Sequence, residues 1–125
     1  MILIVDSWAW LALSEEPKIA DKALNHIEDE NNQIFTTLLN IYEVYYRIKE
    51  KTNHEEAVQY IESIKKMARI AQIDLEVTFL AGDVHLKEKL SVVDAFVYAT
   101  AIKLNGIVLT GDPHFKGKKN VIFIG

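Results

Sequence analysis

The sequence contains no cysteine, which excludes a disulfide scaffold, a thiolate metal site and a cysteine nucleophile. Proline occurs only 2 times and glycine 5 times in 125 residues, too few for a flexible linker or a low-complexity segment. No apolar run approaches the ~18 residues of a membrane span. The opening MILIVDSWAWLAL has no basic flank and is split by Asp6, so no signal peptide is expected. Positive charge is not in excess either: 14 Lys and Arg against 18 Asp and Glu leave a net charge of −4. That is the wrong sign for coating phosphate backbones by bulk attraction. A chain half apolar (50%) and about a quarter charged (26%) is expected to fold as a single domain over residues 1–125, with one core and no membrane anchor, in the cytoplasm. Local basic patches can still grip nucleic acid, so the placement of the acids becomes the informative question.

Apolar runs alternate with amphipathic stretches along the whole chain. Ile2-Leu3-Ile4-Val5 reads as a strand buried on both faces. Helices are expected over Ser7–Ser14, Lys18–Glu30 and Thr37–Lys51, the last with Leu38, Ile41, Tyr42, Tyr45 and Ile48 on one face. Between the second and third lies a short strand, Gln33–Thr36. Asn53, with Glu56 three residues on, opens a helix through Met67. A third strand is expected at Ile70–Ile73, then a helix over Leu75–Leu86, and a helix Val92–Leu104 capped by Ser91 and closed by Asn105-Gly106. Ile107–Thr110 and Val121–Ile124 supply two more strands. Short apolar strands separated by helices give an α/β fold with a mostly parallel five-stranded sheet covered on both faces, a three-layer α/β/α arrangement.

Two acids stand at strand ends. Asp6 follows the first strand directly, and Asp112 follows the fourth by one residue. With strand order 3-2-1-4-5, those strands are neighbours where the order reverses, and open α/β sheets bind ligands there. Adjacent strands are about 4.8 Å apart, so the two carboxylates would repel unless a cation sat between them. Asp94 lies in the first turn of its helix, and Glu43 sits beside an apolar helix face. Each acid also has a purely structural reading. Asp6, Asp94 and Asp112 can each serve a helix start, and Glu43 can pair with Arg47 one turn on. Oxygen ligands without cysteine suit Mg²⁺ or Mn²⁺.

The segments ILIVDS, LLNIYEVYYR, LSVVDAFVYATA and TGDPHF, in that order and with this spacing of acids, make the chain resemble the PIN-domain nucleases, and among them the VapC-type toxins. The resemblance implies the PIN-like fold and an endoribonuclease in which Asp6, Glu43, Asp94 and Asp112 hold Mg²⁺ or Mn²⁺, with Ser7 and Thr110 supporting the acids. It implies hydrolysis of RNA phosphodiester bonds by in-line attack of a water whose pKa the cation lowers. It also implies a homodimer and a small VapB-like antitoxin whose tail blocks the acidic pocket. Two residues depart from the family pattern. Trp8 replaces a small polar residue, and His114 stands where many members carry a further acid, which leaves one ion expected instead of two.

His114 and the run Lys116, Lys118 and Lys119, close behind Asp112, are the candidates for contact with RNA. Trp8, Trp10 and the patch Tyr42, Tyr45, Tyr46 are expected in the core or at a dimer contact. Two other readings are open. A receiver-type signalling module would use Asp74 as phosphoacceptor, though it calls for paired acids after the first strand and a Lys after the fifth. A catalytically silent PIN-fold binding protein would act through its surfaces alone.

Overall fold

The computed structural model describes residues 1–125. Five strands, β1 (Ile2–Val5), β2 (Gln33–Thr36), β3 (Arg69–Ile70), β4 (Ile107–Thr110) and β5 (Val121–Phe123), form one sheet in the order β3-β2-β1-β4-β5. Every neighbouring pair is parallel. Six helices connect them: α1 (Ser7–Glu15), α2 (Pro17–Ile27), α3 (Leu38–Lys51), α4 (His54–Met67), α5 (Leu75–Glu88) and α6 (Val92–Leu104).

The period-2 alternation of the central strands divides the core between the two faces. Leu3, Val5 and Leu109 point to one side, where they meet Ala9, Trp10, Ala23, Val44 and Ile64 of α1 to α4. Ile4 and Val108 point to the other, against Val77, Ala81, Ala95, Val97 and Tyr98 of α5 and α6. Trp10 is fully buried, and its indole N–H donates to the Thr36 hydroxyl (3.0 Å). Residues 95 and 97–101 of α6 are all buried, which explains why the middle of this helix carries no charged residue.

The expected elements are present, with shifts at several of their ends and α5 running two residues further than expected, to Glu88. α2 stops at Ile27, three residues early, because Asn32 Nδ2 donates to the His26 carbonyl and Asp29 Oδ1 accepts from the Asn31 amide, closing a turn. β3 holds only two residues. After Ala71, whose amide still reaches the Thr36 carbonyl (2.8 Å), the chain turns so that Asp74 can cap α5. β5 ends at Phe123, one residue short. On α3, Ile41 and Ile48 pack against the core as expected, but the fully buried positions lie elsewhere. Asn40 and Val44 are buried, whereas Leu38 and Tyr42 are exposed and Tyr42 stacks on Tyr46 (centroids 5.3 Å apart).

Candidate active site

Parallel pairing fixes what stands beside Asp6. Val5 is opposite Leu109 in the β1–β4 register, and the Asp6 amide donates to the Leu109 carbonyl (3.1 Å). Thr110 is therefore alongside Asp6, and its hydroxyl donates to Asp6 Oδ2 (2.8 Å). From β2, Thr37 opens α3 with a capping box in which Asn40 supplies the returning side chain. Asn40 Nδ2 then donates to Asp6 Oδ1 (3.2 Å) and to the Ser7 hydroxyl (2.8 Å). Asp6 occupies the N-cap position of α1, yet its side chain caps nothing. Both carboxylate oxygens are held instead by residues of α3 and β4, with 2% of the residue exposed.

Ser91 caps α6 as expected, accepting from the Asp94 amide (3.4 Å). The Asp94 carboxylate does not complete a capping box. The residue is 8% exposed, and the Ser91 hydroxyl partly offsets the rise in its carboxyl pKa. Asp112 does cap the short 3-10 turn Pro113–Phe115, its Oδ1 accepting from the His114 amide (2.9 Å). His114 Nδ1 lies 2.7 Å from the same oxygen. The Thr110 hydroxyl accepts from the Asp112 amide (3.0 Å), so one threonine ties both strand-end acids together. Glu43 is half-buried and forms no ion pair with Arg47, whose guanidinium lies over the Tyr46 ring at 6.0 Å.

All four acids line one cavity of about 530 Å³ at the carboxyl ends of β1 and β4. Trp8, Arg47, His85, Lys89 and His114 share its wall. The acids raise one another. Burial, and then the charge of Asp94, lifts the Asp6 carboxyl from 3.8 to about 7. Burial, and then the charge of Asp112, lifts Asp94 from 3.8 to about 6. A buried carboxylate facing like charges in a solvent-open cavity fits a divalent cation and is costly without one.

The remaining sequence candidates lie elsewhere. Lys116, Lys118 and Lys119 line a separate groove beside α5 and α6, where Lys118 pairs with Glu88 (2.9 Å) and Lys116 lies over Phe123 (5.7 Å). Asp74 caps α5 and pairs with Lys103 (3.4 Å), away from the cavity lined by the other four acids. Asn40, Arg47, His85 and Lys89 were not among the sequence candidates for the site. Only Asn40 carried a readable signal, three residues after a capping Thr and three before Glu43. His85 and Lys89 reach the cavity because α5 ends there in a left-handed Lys89 (φ 61°), which no spacing rule announces.

The family model of the PIN domain matches residues 3–120. The chain belongs to the PIN domain family. No curated protein sequence matches it. Among solved structures, this PIN domain is similar to a toxin–antitoxin complex from Klebsiella pneumoniae, with TM-score 0.80 and 20% identity, covering 98% of each chain. It is similar to VapBC2 from Rickettsia felis bound to a promoter DNA fragment (TM-score 0.79, 18% identity, 98% of this chain and 97% of that one). It is also similar to VapC20 of Mycobacterium tuberculosis, described as a Sarcin-Ricin loop cleaving toxin (TM-score 0.78, 17% identity, 95% and 96%). At such identities the likeness is one of fold.

The raised acids of this PIN domain give its stability an unusual pH dependence. Folded carboxyls at about 7 and about 6 take up protons that the unfolded chain, at 3.8, does not. Their stabilising contribution is complete below the unfolded value and is lost as pH rises through 6 and 7. The metal-free protein is therefore expected to melt several degrees higher at pH 5.5 than at pH 8. Saturating Mn²⁺ should reverse that order, because the ion competes with the protons. Asp74 and Glu88, lowered chiefly by the Val77 amide and by Lys118, act in the opposite sense only at more acidic pH. Thermal melts between pH 5.5 and 8, with EDTA and with Mn²⁺, check the crossing.

Proposed function

We propose that the protein is a VapC-type toxin, a Mg²⁺- or Mn²⁺-dependent endoribonuclease that hydrolyses RNA phosphodiester bonds in the cytoplasm. The observation that carries this reading is the convergence of Asp6, Glu43, Asp94 and Asp112, four acids distant in sequence, on one cavity. Support comes from membership of the PIN family and from the fold shared with VapC and VapBC proteins, one of them described as a Sarcin-Ricin loop cleaving toxin.

In this reading the four carboxylates hold the ion. When bound, such an ion neutralises charge building on the phosphoryl oxygens and lowers the pKa of water. Asn40 and Thr110 fix the rotamer of Asp6, each through one carboxylate oxygen. The His114 amide and ring hold Asp112 through Oδ1. Arg47 and Lys89, on the cavity wall, provide the cations that a phosphodiester needs to approach an acidic pocket. Lys116 and Lys119, exposed in the neighbouring groove, would contact the backbone of a longer RNA, whereas Lys118 is held by Glu88.

The proposed partners are a second copy of the chain and a small VapB-like antitoxin. The latter is supported by the toxin–antitoxin complexes that share this fold and by the exposed apolar side chains of Leu38, Tyr42 and Tyr46 on α3, the helix that carries Glu43 and Arg47. Purified protein is expected to cleave RNA with Mn²⁺, to lose at least about 100-fold in rate in EDTA, equivalent to ~2.7 kcal/mol, and to recover when Mn²⁺ is restored. Cleavage indifferent to EDTA, or no cleavage of any RNA, would overturn the reading.

A further inference from the structure

We infer that the outer face of α5, with the start of α6, is where a second copy of this chain docks, the partner's Phe79 filling a notch at Gly82 and packing against His85 on the wall of the acid cavity. The inference rests on the reading above and gives its proposed second copy a face and a register.

α5 is apolar on two opposite sides. Val77, Ala81 and Val84 are buried in the core. Leu75, Thr78, Phe79, Gly82, His85 and Leu86 recur on the other side at helical spacing, with no Asp, Glu, Lys or Arg among them. Leu75 is 72% exposed, Phe79 68% and Leu86 73%, and Val92 at the start of α6 adds 62%. A helix apolar all round is one that is covered all round. Gly82 asks for the same cover. Glycine inside a helix weakens it relative to alanine, yet this one has no left-handed φ, and a Cβ on it would meet nothing within 4 Å. Its own chain gives no reason for it. What it does is open a notch of about 220 Å³ walled by Ala81, His85, Val92, Ala95 and Phe96. A cavity of ~150 Å³ already accepts a benzene ring, so the notch takes a phenylalanine, and Phe79 stands on the same stripe. Knob and hole on one face are what a two-fold contact needs, because each copy then offers both. About an axis through Gly82, antiparallel α5 helices set residues equidistant from it against each other, which puts Phe79 of one copy opposite the partner's His85. An uncharged stripe also meets its own copy without like-charge repulsion. Seating the four large side chains buries on the order of 400 Å² of apolar surface per copy. That is about half of the ~800 Å² each partner gives to a stable complex, with flanking polar residues as the rim. His85 lines both the notch and the acid cavity, so the docked copy borders the site.

The test is sedimentation velocity on the full chain, with RNA cleavage measured on the same preparation. Wild-type protein should sediment as a dimer at micromolar concentration. Gly82→Leu, which fills the notch, should raise the dimer dissociation constant by at least about tenfold while keeping the helical circular dichroism, since leucine is the better helix former. Phe79→Ala, which removes the knob, should weaken the dimer as much. Phe79 is exposed, so its removal leaves the fold intact and decides the matter if Gly82→Leu does not fold. Tyr42→Ala, on the exposed patch of α3, should leave the dimer as it is. The inference is overturned if the wild type is a monomer, if Phe79→Ala or a folded Gly82→Leu dimerises as tightly as wild type, or if Tyr42→Ala alone splits the dimer. A monomer that cleaves RNA in Mn²⁺ would overturn the inference and leave the nuclease reading standing. A dimer split by the α5 variants that cleaves no RNA would support the inference and overturn that reading.

Discussion

Replacing Asp94 by Asn is expected to raise the melting temperature of the metal-free protein while lowering RNA cleavage by about 10³-fold, or ~4 kcal/mol of transition-state stabilisation. The two effects have one cause. Asp94 is buried, faces like charges, and is the largest charged contributor to the raised pKa of Asp6. Asn keeps the shape and removes the charge. The relief, discounted for solvent in the open cavity and for the lost favourable acid in the first turn of α6, is about 1 kcal/mol at pH 8. That corresponds to a melting temperature higher by about 3 °C. A structural acid behaves in the opposite way: an Asp that merely served the helix start would lose stability on amidation and leave cleavage untouched. Melts in EDTA and cleavage assays with Mn²⁺ on the same preparation separate the cases. A less stable and fully active variant would return Asp94 to a capping role.

The contrast among the four acids shows which parts of the site could be read without coordinates. The N-cap reading fits Asp112, which does cap its turn, and fails for Asp6, whose carboxylate turns away from α1 toward Asn40 and Thr110. Both occupy the same kind of position in the sequence. The difference lies in neighbours brought alongside by the β1–β4 register and by the α3 capping box, and these are long-range facts. The continuously apolar run Ile2-Leu3-Ile4-Val5 was legible as a strand because burial on both faces leaves a local signature. The inward face of α3 was legible at Ile41 and Ile48 but not at Asn40, an amide that sits there for its hydrogen bonds and leaves no apolar signature. Arg47 was legible as a partner for Glu43, but the structure gives it the Tyr46 ring and the cavity wall instead.

Gly111→Ala should damage the site without touching an acid. A Cβ there would lie 2.2 Å from Trp8 Cζ3 and 2.4 Å from Cη2, well inside contact distance. The backbone cannot retreat from the ring. The Ile124 amide donates to the Thr110 carbonyl (2.9 Å), and the chain end packs on the Gly111 carbonyl, only 2.5 Å from where a Cβ on Gly125 would stand. Trp8 must therefore move, and it lines the cavity. Overpacking of this kind costs about 1 to 3 kcal/mol of stability, and a displacement near 1 Å at Asp112 costs about 100-fold in rate. The departure of Trp8 from the family's small polar residue thus has a structural counterpart: glycine after Thr110 is what admits the indole. Trp8→Ser in the Gly111→Ala background should recover Mn²⁺ affinity and most of the cleavage rate, giving a coupling energy above about 1 kcal/mol between two positions in direct contact. Equal damage from Gly111→Ala with and without Trp8 would show that the glycine serves the backbone alone and that the indole plays no part in setting Asp112.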